Sequence, residues 1–246
     1  MGLRRIAEPR LPRPTAFRAR VVSSRPLTPT THAITVEKPE PFSFLPTQFT
    51  FLQLLTEAGV DARPMSLASG PTRPHLEYAV RLSDSWFKRA FAGLEPGNDV
   101  AVFGPIGTFV LDEERPAVLI AGGIGVTPLK GMAEYAADVV LHIPIRLVYS
   151  SRDETEIAYR DELDALEHQN PSFRVLHTLT RDYDAGWRGS TGRISRALLQ
   201  EAASDLEDPV YYISGTTSMV VGILRLLRET GTSGDSIEVE AFRGYR

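Results

Sequence analysis

The spacing of apolar positions changes character near residue 115. From Phe17 to Leu111 they fall in short β-type runs: Phe17–Ser23, His32–Glu37, Gln48–Leu55, His75–Leu82 and Asp99–Phe103. Gly and Pro separate the runs, and short strands so spaced predict an antiparallel barrel or sandwich. One helical stretch interrupts them, Ser85 to Phe91, ending near Gly93. Beyond Glu114, strand-like runs at 117–121, 145–150, 173–180 and 210–214 alternate with helical patterns at 128–139, 156–168, 195–203 and 217–230, and a run at 237–242 closes the series. Such alternation predicts an open, mostly parallel sheet with helices on both faces. The expected organisation is a flexible arm over 1–14, rich in Pro and Arg, then a β domain over 15–112 and an α/β domain over 115–246. A ligand site is expected in the cleft between the two domains.

The most informative stretch is Ala121-Gly122-Gly123-Ile124-Gly125-Val126-Thr127-Pro128. It joins the apolar run Ala117–Ile120 to a helical pattern. Glycines let the backbone approach an anion, and the first free N–H groups of the helix then face it. Pro128 suits the first turn, where its missing N–H costs little. The third glycine of the usual dinucleotide fingerprint is absent. Taken alone, the segment reads better as an ordinary tight strand-to-helix turn.

Composition narrows the chemistry. The 246 residues are 42% apolar and 24% charged, with a net charge of −4, which implies no general affinity for nucleic acid. There is no cysteine, which excludes disulfides, thiol catalysis and a cysteine-ligated iron–sulfur cluster in this chain. His32, His75, His142, His168 and His177 are scattered without metal-ligand spacing, so no metal site is expected. No Gly-x-Ser-x-Gly elbow and no P-loop occur. No apolar run approaches the roughly 20 residues that span a bilayer. Arg4-Arg5 leads into Ile6-Ala7-Glu8-Pro9, not into an apolar stretch. A cytoplasmic location is expected.

Seven motifs, in order, carry a resemblance to a known family. Gln48–Leu52 precedes Arg63-Pro64-Met65-Ser66, and Gly104-Pro105-Ile106-Gly107 follows. With the Gly122–Pro128 turn come Val148–Arg152, then Tyr212-Ile213-Ser214-Gly215 with Met219, then Glu240-Ala241-Phe242-Arg243-Gly244-Tyr245. Together they resemble the ferredoxin–NADP reductase superfamily over roughly residues 15 to 245. The resemblance implies an N-terminal antiparallel Greek-key β-barrel that binds flavin and a C-terminal Rossmann-like parallel sheet that binds a nicotinamide nucleotide. It implies a flavoenzyme that moves hydride between NAD(P)H and FAD.

Residue roles follow from the same resemblance. Arg63, beside Pro64, would neutralise the FAD pyrophosphate, and Ser66 would place its hydroxyl near flavin N5. Met65 stands where the family's commonest residue is a tyrosine that lies against the flavin. Ser85 and Lys88 would cap the pyrophosphate, and Tyr78, Val80 and Arg81 would line the FAD through backbone groups and stem. Gly122, Gly123, Gly125 and Thr127 would hold the nicotinamide nucleotide's pyrophosphate, with Gly215 and Met219 near the nicotinamide. Ser214 stands where many relatives place a cysteine. Ser66, Ser214 and Glu240 are the candidate catalytic residues, and Phe242 and Tyr245 are rival aromatics for the flavin face.

Donors for a 2′-phosphate are present in Ser151-Arg152, Thr180-Arg181 and Arg193, against the acids Asp153 and Asp182. NADP(H) is therefore favoured over NAD(H). A separate ferredoxin or flavodoxin-like carrier is the expected partner. The seven arginines in the first 25 residues, with Arg243 and Arg246, would supply a basic rim for it. Two other readings are open: a reductase subunit of a multicomponent oxygenase or hydrogenase, and a non-enzymatic flavin- or nucleotide-binding redox sensor. The oligomeric state is not legible.

Overall fold

In a computed structural model, which describes residues 11–181 and 183–242, the chain forms two six-stranded sheets. The first comprises β1 (Thr15–Thr28), β2 (Thr31–Glu37), β3 (Phe49–Thr56), β4 (Gly59–Ser66), β5 (His75–Arg81) and β6 (Asp99–Ile106). It is antiparallel in the order β4-β3-β6-β1-β2-β5. The sheet curls so that its two edges meet just beyond β4. There the Ala68 N–H donates to the Glu77 carbonyl at 2.8 Å, and the Glu77 N–H donates to Ser69 Oγ at 3.1 Å. Alternate inward residues, among them Val21, Ile34, Leu52, Leu54 and Leu76, fill the barrel. Helix α1 (Trp86–Ala92) adds Phe87 and Phe91 to that core.

Two barrel strands differ from the sequence expectation. β4 was not foreseen, because Gly59, Asp61 and Pro64 are poor strand formers. It pairs along its whole length with β3, from Thr56↔Gly59 to Phe49↔Ser66. It lies at the edge of the sheet, where a proline's missing N–H does no harm. β1 runs on past Ser23 to Thr28, with register irregularities between Val21 and Ser23 and between Pro26 and Thr28.

The second sheet comprises β7 (Ala117–Gly122), β8 (Ile145–Ser151), β9 (Phe173–Leu179), β10 (Ser190–Thr191), β11 (Val210–Thr216) and β12 (Ile237–Phe242). All its strands are parallel, in the order β10-β9-β8-β7-β11-β12. The short β10 was not foreseen. Helices α2 (Val126–Asp138) and α3 (Arg160–Gln169) pack one face through Leu129, Met132, Ala133, Leu163 and Leu166. Helices α4 (Arg196–Ala202) and α5 (Thr217–Glu229) pack the other through Leu198, Leu199, Val220 and Ile223. Ile120 and Leu119 point to opposite faces, and both are fully buried. A strand covered on both sides reads as a continuous apolar run for this reason.

α3 starts at Arg160, not at residue 156. Asp153 accepts the Glu156 N–H at 3.2 Å and closes a single turn, and Tyr159 then adopts φ 62°. That left-handed residue separates the turn from the helix. Among the described residues, no helix is long and apolar enough to cross a membrane.

Candidate functional site

Strand order reverses between β7 and β11, and ligands of doubly wound sheets bind outside the strand ends at that point. Gly122 ends β7, and a tight turn over Gly123–Gly125 leads into α2. A Cβ on Gly125 would lie 2.3 Å from the Ser214 carbonyl oxygen, and one on Gly122 would lie 2.1 Å from Met219 Sδ. At Gly125 the turn is therefore pressed against the backbone at the end of β11, where only glycine fits, whereas at Gly122 the neighbour is the flexible Met219 side chain of α5. Thr127 is buried, and its hydroxyl donates to the Ile124 carbonyl at 2.7 Å, bracing the turn from within.

Three polar side chains converge there. Ser214 and Glu240 are register partners on β11 and β12. The Ser66 hydroxyl, at the end of β4, donates to Glu240 Oε1 at 3.0 Å across the gap between the sheets. Burial pushes the Glu240 carboxyl up to about 7, and the Ser66 hydrogen bond opposes that rise. Glu240 Oε2 and Ser214 Oγ are buried without a hydrogen-bond partner among the described residues. Orphaned polar atoms of this kind call for a ligand or an explanation.

Basic side chains lie along the same seam. Arg81 ends β5, and one of its terminal nitrogens is 4.0 Å from the position of a Cβ on Gly123. Burial lowers the Lys88 pKa, and the positive charge of Arg81 lowers it further. Arg81 also faces the Glu156 carboxylate at 3.9 Å. Arg63, on β4, holds Asp61 through Nε at 3.2 Å and a terminal nitrogen at 2.8 Å.

The loops after β8, β9 and β10 bring the other predicted donors together. The Arg181 N–H donates to the Arg152 carbonyl at 2.9 Å, and the Gly192 N–H donates to the Leu179 carbonyl at 2.7 Å. Arg152, Arg181 and Arg193 are exposed and make no ion pair among the described residues. Asp153 turns back into its own loop, accepting from Thr155 and Glu156, and does not pair with Arg152.

Several predicted residues are engaged through their side chains within the protein. The Tyr78 ring is fully buried, and its hydroxyl is hydrogen-bonded to Thr50 at 2.8 Å inside the barrel. Val80 and Met65 also belong to the barrel core. Alternation on β5 turns the Tyr78 and Val80 side chains inward, so only their backbone is left to line a cofactor. Ser85 caps α1 by accepting the Lys88 N–H at 3.3 Å. Arg25, counted toward a basic rim, instead bridges Glu77 and Glu162 between the sheets. The Phe242 backbone pairs with Thr216. Asp182, Tyr245, Arg243, Arg246 and residues 1–10 lie outside the described residues. Sequence reasoning missed Glu77 and Lys130, both buried and bonded to each other at 3.0 Å. Their only sequence signal is a charge inside an otherwise apolar pattern.

A Greek-key barrel joined to a doubly wound nucleotide sheet, with polar groups gathered between them, defines a two-domain nucleotide-dependent oxidoreductase. The comparisons give the family. Residues 119–224 match the model of the oxidoreductase NAD-binding domain. The chain is 33% identical over 240 residues to ferredoxin–NADP reductase B of Sorangium cellulosum, covering 92% of this chain and 97% of that one. It is 27% identical over 223 residues to the glycine betaine monooxygenase reductase subunit of Chromohalobacter salexigens, covering 86% of this chain but only 60% of that protein. The structure of a ferredoxin NADP+ reductase from Neisseria gonorrhoeae with bound FAD and NADP superposes with a TM-score of 0.79 at 20% identity, covering 92% of this chain and 98% of that chain. The chain belongs to the ferredoxin–NADP reductase-like family of flavoprotein reductases.

Proposed function

We propose that the protein binds FAD on the barrel and a nicotinamide nucleotide, preferentially NADPH, on the parallel sheet, and passes electrons to a separate ferredoxin- or flavodoxin-like carrier. The observation that carries this reading is the Ser66–Glu240 hydrogen bond, which ties the end of the barrel's β4 to β12 of the nucleotide sheet, next to the switch-point strand β11. The residues fit both cofactors. Arg63, Arg81 and Lys88 supply positive charge for the FAD pyrophosphate. The Gly122–Gly125 turn and Thr127 offer a backbone cradle for the nucleotide pyrophosphate. Arg152, Arg181 and Arg193, which make no ion pair among the described residues, offer cations for a 2′-phosphate. Ser214 Oγ and Glu240 Oε2 remain as buried polar atoms with no protein partner among the described residues.

When bound, the cofactors supply hydride transfer between nicotinamide C4 and flavin N5. The chain's task is to orient and enclose them. Glu240 titrates near neutrality and can hold a proton beside Ser66, which avoids a fixed negative charge in an enclosed site. Ser66 and Ser214 present hydroxyls that donate or accept without titrating. Similarity to the betaine monooxygenase reductase subunit favours a second reading, in which the acceptor is an oxygenase component.

Anaerobic titration of the purified protein with NADPH and NADH in parallel tests the proposal. Bound flavin bleached preferentially by NADPH is the expected result. Preference for NADH would remove the 2′-phosphate assignment. Flavin that neither nucleotide reduces would refute the reductase reading.

A further inference from the structure

We infer that Lys130 is a positioning residue: paired with Glu77, it locks the nucleotide domain onto the barrel and so fixes the gap between the two candidate cofactor sites. The inference rests on the function proposed above. Lys130 lies on α2, and its side chain is buried. Its Nζ donates to Glu77 Oε2 on β5 at 3.0 Å and to Glu134 Oε1 at 3.2 Å. The other Glu77 oxygen accepts from Arg25 on β1 at 3.0 Å, and Arg25 reaches Glu162 on α3 at 2.7 Å. Barrel and nucleotide domain thus contribute interleaved charges to one cluster, buried at Lys130 and Glu77 and open to solvent at Arg25 and Glu162.

Three further observations mark this cluster as a pivot. The first is Tyr159, whose ring centroid lies 5.2 Å from Lys130 Nζ and 5.9 Å from Arg25 Cζ. It sits at φ 62°, a conformation that bulky residues hold only where the surroundings over-determine it. The second is the closeness of α2 to the barrel. A Cβ on Gly131 would lie 3.0 Å from the Leu67 carbonyl oxygen and 3.2 Å from that of Ser69.

The third is the layout of the seam. Glu77 and Arg81 stand on the same face of β5, roughly 13 Å apart. Gly123 and Lys130 are about 10 Å apart along the turn and α2. Arg81 faces Gly123 at the other end of the seam. The Lys130–Glu77 bond and the Arg81–Gly123 approach hold the two ends of one seam, and at the second end Arg81 also reaches Glu156 of the nucleotide domain at 3.9 Å. An apolar pair would hold the interface as firmly, but a hydrogen-bonded ion pair also fixes direction and register.

The test uses the full chain with bound flavin. Lys130→Met and Glu77→Gln remove one charge each at nearly constant shape. Flavin reduction is followed by stopped flow over a range of NADPH and NADH concentrations, with bound flavin and thermal midpoint measured alongside. Displacement of reacting groups by an ångström lowers rates by about 100-fold. Each variant is expected to lower the limiting rate at least about tenfold, with half-saturation moved less than about threefold. The double variant is expected to be no slower than the slower single one, because the two residues act as one unit. Lys130→Arg is expected to recover part of the rate.

Limiting rates within about twofold of the parent in both single variants would overturn the inference. So would a loss of rate only in proportion to lost flavin. If Lys130→Met does not fold, Glu77→Gln alone decides. Failure of the parent protein itself to be reduced by either nucleotide would refute the proposed function instead, so the two failures are distinguishable.

Discussion

The Ser66 hydroxyl and the Glu240 carboxyl oppose each other in a way that two substitutions can separate. Burial raises Glu240 from 4.5 to about 7, while the hydrogen bond from Ser66 pulls the other way. A net hydrogen bond contributes about 1 kcal/mol, which is about fivefold in the proton-dissociation constant. Ser66→Ala should therefore move the Glu240 titration upward by about that factor. Glu240→Gln should abolish it.

The effect on stability has a definite sign. A carboxyl whose folded-state pKa is raised contributes stability that is fully present below its unfolded value and lost as pH rises through the folded one. Here the loss falls between 4.5 and about 7. At about 1.4 kcal/mol per pH unit, ionised Glu240 costs the fold about 3 kcal/mol above that window. Glu240→Gln should gain stability over the parent by up to about that amount on going from about pH 5 to about pH 8. The titration is read from the carboxyl C=O stretch in infrared difference spectra. Stability is read from thermal midpoints of the flavin-loaded protein at both pH values. A difference between parent and Glu240→Gln that does not change with pH would refute the reasoning, as would a Ser66→Ala titration shifted downward.

Gly125→Ala should be more damaging than Gly122→Ala, because its Cβ meets backbone at Ser214 whereas that of Gly122 meets the flexible Met219 thioether. Overpacking of the first kind costs about 1–3 kcal/mol, and thermal midpoints with nucleotide titrations would show it. Arg181→Ala and Arg193→Ala should each raise the KM for NADPH on the order of tenfold, the loss of a charge-assisted contact, and leave that for NADH nearly unchanged. Equal effects on both nucleotides would count against a 2′-phosphate site there. Phe91→Ala empties a fully buried position in the barrel core beneath α1. It should cost about 3–5 kcal/mol, seen as early flavin release on heating.

Much of this molecule was legible in short stretches of the chain. The apolar run at Ala117–Ile120 and the glycine turn after it announced their elements, because each signal is complete within a few residues. The two-domain order followed from the change of period alone. β4 escaped because pairing with β3, not its own residues, makes it a strand. Tyr78 and Val80 could be placed on a strand, but their inward direction was set only when the barrel closed around them.

Family resemblance named Ser66 and Glu240 singly. Their hydrogen bond spans 174 positions, and the burial that raises the Glu240 pKa exists only once the sheets have met. Lys130 and Glu77 read in sequence as two ordinary charges, 53 positions apart. Propensity and periodicity are written over one or two turns of chain. Desolvation, charge pairing and the gap between two sites depend on distances between elements, which only the packed structure decides.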